Sequence, residues 1–273
     1  MIYHVHTPRP PLSDFVHVLW FFEESNMPHS RERVLPTGTV ELVINLHEDV
    51  IRSYDNDDPA RFETHPGAVI AGTRSEFMII DTESQASIMG VAFKPGGALP
   101  FLGVTACEVH GGDVALDALW GRHAAELRWR LIEAPTPAAK FAVLESALLE
   151  RMSRRLNLHP AVRHALRELQ CVPHMRTLAE VTDDVGLSQR RFIQLFREQV
   201  GMPPKLYYRI QRFQAALHRI EAGRRVEWAD LALACGYYDQ AHFIRDFRAF
   251  SGINPSTYLL QRTDRLNHVP LLL

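Results

Sequence analysis

The chain has 273 residues, 46% of them hydrophobic and 23% charged, which excludes a disordered chain and leaves room for two ordinary domains. No uninterrupted apolar run approaches the roughly 20 residues of a spanning helix. The start, MIYHVHTPRPPLSDF, also lacks the basic-then-apolar layout of a signal peptide, so a cytoplasmic location without a membrane partner is expected. The net charge of −2 divides into −7 for residues 1–155 and +5 for residues 156–273, so only the C-terminal part is suited to face phosphate.

Residues 1–115 carry short apolar stretches broken by turn residues: Val16–Phe22, Val40–Leu46, Ala68–Ala71, Phe77–Ile80 and Ile88–Phe93. That spacing predicts a small β-rich barrel or sandwich. After Gly112 the pattern turns helical, through Leu116, Leu119 and Trp120, then Leu127 and Leu131, then Phe141, Leu144, Leu148 and Leu149 beyond the Pro135-Thr136-Pro137 break. Helices in 116–153 are expected to pack on the barrel or to pair between subunits. Arg154–Pro160 reads as a linker closing an N-terminal domain of residues 1–155. Cys107, Cys171 and Cys235 follow neither CxxC nor Cys/His zinc spacing, and read as buried thiols.

Beyond the linker the chain repeats itself. Phe192, Ile193, Phe196, Arg197, Gly201, Pro204 and Tyr207 recur 51 residues later as Phe243, Ile244, Phe247, Arg248, Gly252, Pro255 and Tyr258. Each copy reads as a short helix, a turn with a glycine, and a second helix. In the first, Leu178, Val181 and Val185 have helical apolar spacing, Gly186 takes the positive φ of the turn, and Ser188 caps a helix of about 188–200. That helix turns Phe192, Leu195 and Phe196 inward and leaves Gln189, Arg190, Ile193, Gln194 and Arg197 on other faces. In the second, Gly236 turns, Asp239 caps, Phe243, Phe247 and Phe250 face inward, and Gln240, Ala241, His242, Ile244, Arg245 and Arg248 are left outside.

A polar helix face is ordinarily just solvated. Two equivalent helices bearing Gln and Arg in a basic domain favour the major groove, where Arg pairs with guanine and Gln with adenine through two hydrogen bonds each. Between the copies, Lys205–Glu221 predicts one long helix after Pro203-Pro204, with Leu206, Ile210, Phe213, Leu217 and Ile220 in one stripe. Such a strut would hold two recognition helices about one DNA turn, roughly 34 Å, apart.

The segments TLAEVTDDVGLSQRRFIQLFREQVGMPPKLYYRIQRFQAAL and WADLALACGYYDQAHFIRDFRAFSGINPSTY resemble the DNA-binding domain of the AraC/XylS family. The resemblance spans residues 158–262, with a first helix near Ala161–Gln170 and a last one after Pro255, and leaves 263–273 as a tail with an apolar end. It implies an all-α domain of about seven helices with two helix-turn-helix units that binds double-stranded promoter DNA. The implied DNA-binding residues are Ser188, Gln189, Arg190, Ile193 and Gln194 in the first unit, and Gln240, Ala241, Ile244 and Arg245 in the second. RNA polymerase as a partner, a homodimer and activation rather than repression are implied as well.

LPTGTVELVINL (Leu35–Leu46) and GVAFKPGGALPFLGV (Gly90–Val104) are similar to the N-terminal domains of one subgroup of that family, which implies a cupin-like barrel. The overall fold class is then α+β. A small-molecule effector in that barrel has Trp20, Glu41, Arg74 and Lys94 as candidate contacts, all beside predicted strands. The alternative is a dimerisation or protein-interaction module without small-molecule control. Cupin-like barrels elsewhere hold metal through an HxH…E…H set; His4 and His6 start one, but no Glu and His follow at that spacing, so neither enzyme activity, metal nor other cofactor is expected. On this reading an effector changes how the 116–153 helices constrain the DNA readers.

Overall fold

Two sheets and eleven α-helices make up the computed structural model, which describes residues 2–24, 29–152, 157–171, 178–222 and 226–271. The strands are β1 (Ile2–His6), β2 (Val16–Glu23), β3 (Arg31–Val34), β4 (Glu41–Asn45), β5 (Ile51–Tyr54), β6 (Phe62–His65), β7 (Ala68–Ala71), β8 (Met78–Asp81), β9 (Ser87–Phe93), β10 (Asp113–Ala115) and β11 (His268–Pro270). One sheet runs β1-β2-β9-β4-β7-β10 and the other β11-β3-β8-β5-β6, with antiparallel pairing throughout.

The near-continuous apolar run of β2 has a physical cause: both faces of its sheet meet something other than bulk water. Leu19 and Phe21 share a face with Leu42, Ile44, Ile70, Met89 and Val91, all buried in one core with the helices that follow. Those helices are α1 (Leu99–Leu102), α2 (Leu116–Trp120), α3 (His123–Glu133) and α4 (Pro137–Arg151). Thr136 starts α4 by accepting the Ala139 amide at 3.2 Å, with Pro137 at the first helical position. On the other face, Val18, Trp20, Glu41, Val43, Val69 and Ala71 look toward the second sheet across a cavity.

Seven helices follow: α5 (Pro160–Cys171), α6 (Leu178–Asp184), α7 (Gln189–Val200), α8 (Pro204–Ala222), α9 (Trp228–Ala234), α10 (Gln240–Ser251) and α11 (Pro255–Gln261). The stripe on α8 is buried at Ile210, Phe213, Leu217 and Ile220, so this helix is the common floor of both repeats. Phe196 meets Tyr207 at 5.6 Å in a tilted pair on one side, and Phe213 meets Phe247 and Phe250 at 5.1 and 5.3 Å on the other. Such pairs contribute about 0.5–1.5 kcal/mol each beyond the area they bury.

The tail does not trail free. Val269, fully buried, pairs with Arg33 in register, and the amides of Leu35 and Leu271 donate to the carbonyls of Asn267 and Arg31 at 2.8 and 2.9 Å. The chain end thereby becomes an edge strand of the N-terminal β-rich part. Leu35 joins the core of the helical part, and Gln211 and Gln214 of α8 donate to the carbonyls of Thr37 and Pro36. Near the other repeat, α7 packs on the 3-10 turn Ala106–Val109. Contacts between the two parts therefore run through this turn, residues 35–37, Phe77 and the tail, whereas α2, α3 and α4 pack on the far face of the first sheet. The expected route through those helices is corrected accordingly. Arg154, Arg155 and Leu156 of the expected linker, and Leu272 and Leu273, lie outside the described residues, and so does the side chain of Cys171. Cys235 is buried and Cys107 half-buried.

Candidate nucleic-acid interface and effector cavity

Both second helices of the repeat are built alike. α7 and α10 have 12 residues each; Ser188 and Asp239 sit in extended backbone and accept the amides of Arg191 and His242 at 3.4 and 2.7 Å. Gly201 and Gly252 close both helices in the left-handed conformation, and Gly186 and Gly236 take positive φ in the two turns.

These caps fix the roll of each helix. Phe192, Leu195 and Phe196 are buried on α7, while Ser188, Gln189, Arg190 and Gln194 are exposed. On α10, Phe243, Phe247 and Phe250 are buried, while Gln240, Ala241 and Arg245 are exposed. Gln194 bonds Glu198 one turn on at 2.8 Å, so a base edge must compete for its amide. Ile193 and Ile244 are only half-buried, and Ile244 also packs on the core, which leaves it less surface for a thymine methyl than an outward position offers.

Two features near α10 escaped the sequence reading. Tyr238, 86% exposed, stands in the turn just before the helix. Asp246, buried on the inward face of α10, accepts Arg209 Nη2 at 2.7 Å and Nε at 3.3 Å from α8, with Arg212 at 3.6 Å and His242 at 3.9 Å. Arg212 also donates to the Gly236 carbonyl and lies over the Tyr237 ring, so α8 grips both the turn and α10. The signal was available: position 246 answers to Leu195 in the first copy, and a carboxylate among Phe243, Phe247 and Phe250 needs a partner.

The cavity between the sheets measures about 510 Å³. Trp20, Glu41 and Arg74 line it. Lys94 does not: it follows the last residue of β9, and its exposed ammonium donates to the Ser13 carbonyl at 2.6 Å. Arg74 pairs with Asp113 at 2.8 Å. Trp20 packs against Gly90, where a Cβ would stand 2.3 Å from the indole, so the missing side chain makes room for the ring. Burial pushes the Glu41 carboxyl up to about 7, against the pull of the Arg265 guanidinium.

One rim of the cavity is the tail itself, residues 264–268. Burial alone would raise the Glu32 carboxyl, but His268, Arg265 and His29 outweigh it and hold Glu32 down at about 2. The contacts are His268 Nδ1 at 2.9 Å, Arg265 Nη1 at 3.1 Å and His29 Nε2 at 3.5 Å. The two histidines considered for metal go elsewhere: His4 is exposed, and His6 bonds Glu145 at 3.1 Å and stacks on Phe141. Among the described residues, no helix is long and apolar enough to cross a membrane.

Residues 181–261 match the helix-turn-helix domain family, and residues 4–115 match a domain of unknown function (DUF6597). The arabinose operon regulatory protein of Escherichia coli (strain K12) is 29% identical over 138 residues, 48% of this chain and 47% of that protein. An uncharacterized HTH-type transcriptional regulator of Haemophilus influenzae is 29% identical over 114 residues, 42% and 36% of the two chains. The HTH-type transcriptional activator AarP of Providencia stuartii is 30% identical over 87 residues, 32% and 64%. The chain thus spans less than two thirds of the length of each of these relatives. Among solved structures, ToxT of Vibrio cholerae strain SCE256 with an unsaturated fatty acid bound aligns over 96% of both chains, with a TM-score of 0.49 at 8% identity.

Proposed function

We propose that this chain, which carries an AraC-type helix-turn-helix domain over residues 181–261, is a sequence-specific transcription regulator that reads promoter DNA with α7 and α10. The observation that carries the reading is the pair of equally long, equally capped helices whose outward faces bear Gln189, Arg190 and Gln194 on one and Gln240 and Arg245 on the other. A buried common strut, α8, sets their separation, so a single chain reads an asymmetric site with two blocks about one helical turn apart.

The N-terminal β-rich part, residues 1–155, serves as sensor, with a small-molecule effector in the cavity at Trp20, Glu41 and Arg74. Residues 264–268 line the same cavity and continue from α11, so an occupant touches the segment that joins the two parts. An effector that contacts the tail has different affinities for docked and released forms, which is what coupling requires. Binding rather than catalysis is its role. The protein works in the cytoplasm as a homodimer and as an activator in contact with RNA polymerase.

The test is selection of sites by the full-length protein from a randomised duplex library. A bipartite asymmetric motif supports the reading. Binding that lacks sequence preference and falls steeply with salt, as counterion release dictates, overturns it.

A further inference from the structure

The lining of the cavity selects the chemistry of its occupant. Its walls are largely apolar, including Val18, Trp20, Val43, Val69, Met78 and Ile80, and its volume of about 510 Å³ suits a drug-sized molecule. Charge on the lining is unbalanced. Glu32, Glu41, Glu76, Asp81, Asp113 and Asp264 face only Arg74, Arg265 and the His268 imidazole. Those cations are already engaged, Arg74 with Asp113 and the other two with Glu32.

Glu41 stands in the middle of its sheet, paired in register with Ala92 on one side and Ala71 on the other, so small neighbours leave its carboxyl open to the cavity. Among the described residues it has neither a hydrogen bond nor an ion pair, and burial raises its pKa against the more distant pull of Arg265. In the turn before β9, Gln85 is 6% exposed and its Nε2, a donor, has no partner, which calls for an acceptor on the body of the occupant. Asp81, equally buried, has for its Oδ2 only the Arg52 guanidinium at 3.6 Å. A carboxyl in apolar surroundings carries a free-energy penalty that a basic nitrogen removes. The face of the Trp20 indole adds attraction for a cation. An anion would gain neither and would meet the surplus of carboxylates.

We infer that the cavity binds a cationic amphiphile, an amine on an aromatic or aliphatic body, with its nitrogen at Glu41 and its body along Trp20, Val43 and Val69. This inference rests on the reading of the cavity as an effector site. It names an organic amine and sets aside carboxylic acids and sugars.

The test uses calorimetric titration of the full-length protein, free of DNA, with phenylalkylamines of two to six methylenes and the matched alcohols and carboxylates. One amine per chain is expected, at least tenfold tighter than its matched alcohol and carboxylate. Glu41→Gln is expected to bring the amine within threefold of the alcohol. Carboxylates that bind as tightly as amines, an amine preference that survives in Glu41→Gln, or no saturable binding in any series overturns the inference. Should Glu41→Gln not fold, the wild-type comparison of amine with carboxylate decides alone. Site selection on DNA by the same wild-type protein is independent: specific DNA binding without amine binding sinks the cavity inference only, and loss of specific DNA binding sinks the regulator reading.

Discussion

Arg265 and Glu32, separated by 233 residues of sequence, meet at 3.1 Å where the tail crosses the edge of the second sheet. The tail is held from both sides: Tyr258 of α11 donates its hydroxyl to the Leu266 carbonyl at 2.9 Å, and β11 pairs with β3. A change at the cavity rim therefore has a covalent path of only a few residues to the helix that follows the second reader.

The strap should loosen in acid, and the sign follows from Glu32. Its folded pKa of about 2 lies below the ordinary 4.5, so the stabilisation is present above about 4.5 and is lost as the pH falls toward 2. For this buried carboxylate the shift corresponds to something on the order of 3 kcal/mol. Burial also holds His268 below the ordinary imidazole value, so that ring contributes a separate loss of stability that begins as the pH falls below about 6.5. The protection factors of the Leu35 and Leu271 amides, taken relative to the intrinsic rate at each pH, should fall over that window, and Glu32→Gln should flatten the dependence. Protection that stays constant from pH 5 to pH 2.5 in the wild type would show that the pair does not hold the tail.

Removal of the Asp246 carboxylate should cost more than its single position suggests. Asp246→Ala leaves Arg212 buried beside no acid and frees Arg209, a change for which about 3 kcal/mol is typical. Thermal unfolding should register that loss, and the DNA block read by α10 should degrade before the block read by α7. Equal loss at both blocks would mean that the ion pair supports the whole helical part rather than the orientation of one reader.

Much of this arrangement was legible because repetition and periodicity act locally. Caps at Ser188 and Asp239, glycine turns at 186 and 236, and the stripe on α8 follow from residues within a turn or two of one another. Strands β2, β4, β7, β8 and β9 were found by their apolar runs. Those missed, β1, β3, β5, β6, β10 and β11, are short or mostly polar, with patterns such as RERV and FETH, and are strands only because a neighbour offers its edge. The same holds at the cavity. Trp20, Glu41 and Arg74 stood out as polar or aromatic residues beside apolar strands, whereas Glu32 and Arg265 enter it through pairings of long sequence separation that no local pattern encodes.

Gly90 should be intolerant of even one methyl group. A Cβ there would lie 2.3 Å from the Trp20 ring and 2.6 Å from the Leu42 carbonyl oxygen, and the backbone oxygen cannot turn aside. Gly90→Ala should destabilise the protein by about 1–3 kcal/mol, as overpacking does, and should push the indole into the cavity. The pair Gly90→Ala and Trp20→Leu separates these effects in a double-mutant cycle. If the two penalties simply add, the ring does not depend on the glycine.

Base reading should divide between the two helices. Arg190 and Arg245 are both exposed but not equivalent in the repeat: they stand two and six residues past the caps of α7 and α10, where Arg190 answers to Ala241 and Arg245 to Gln194. An arginine that forms two hydrogen bonds to guanine contributes about 1–3 kcal/mol of discrimination, whereas one on phosphate weakens all sequences alike and reduces the salt slope by about one. Arg190→Ala should therefore relax one block of the selected site and Arg245→Ala the other, with wild-type preference kept at the unaffected block. Titration of each variant on matched and single-block-scrambled duplexes at two salt concentrations distinguishes the outcomes. A uniform loss on all duplexes, with a shallower salt slope, would move that arginine from the base edge to the backbone and leave Gln189, Gln194 and Gln240 to carry the sequence preference.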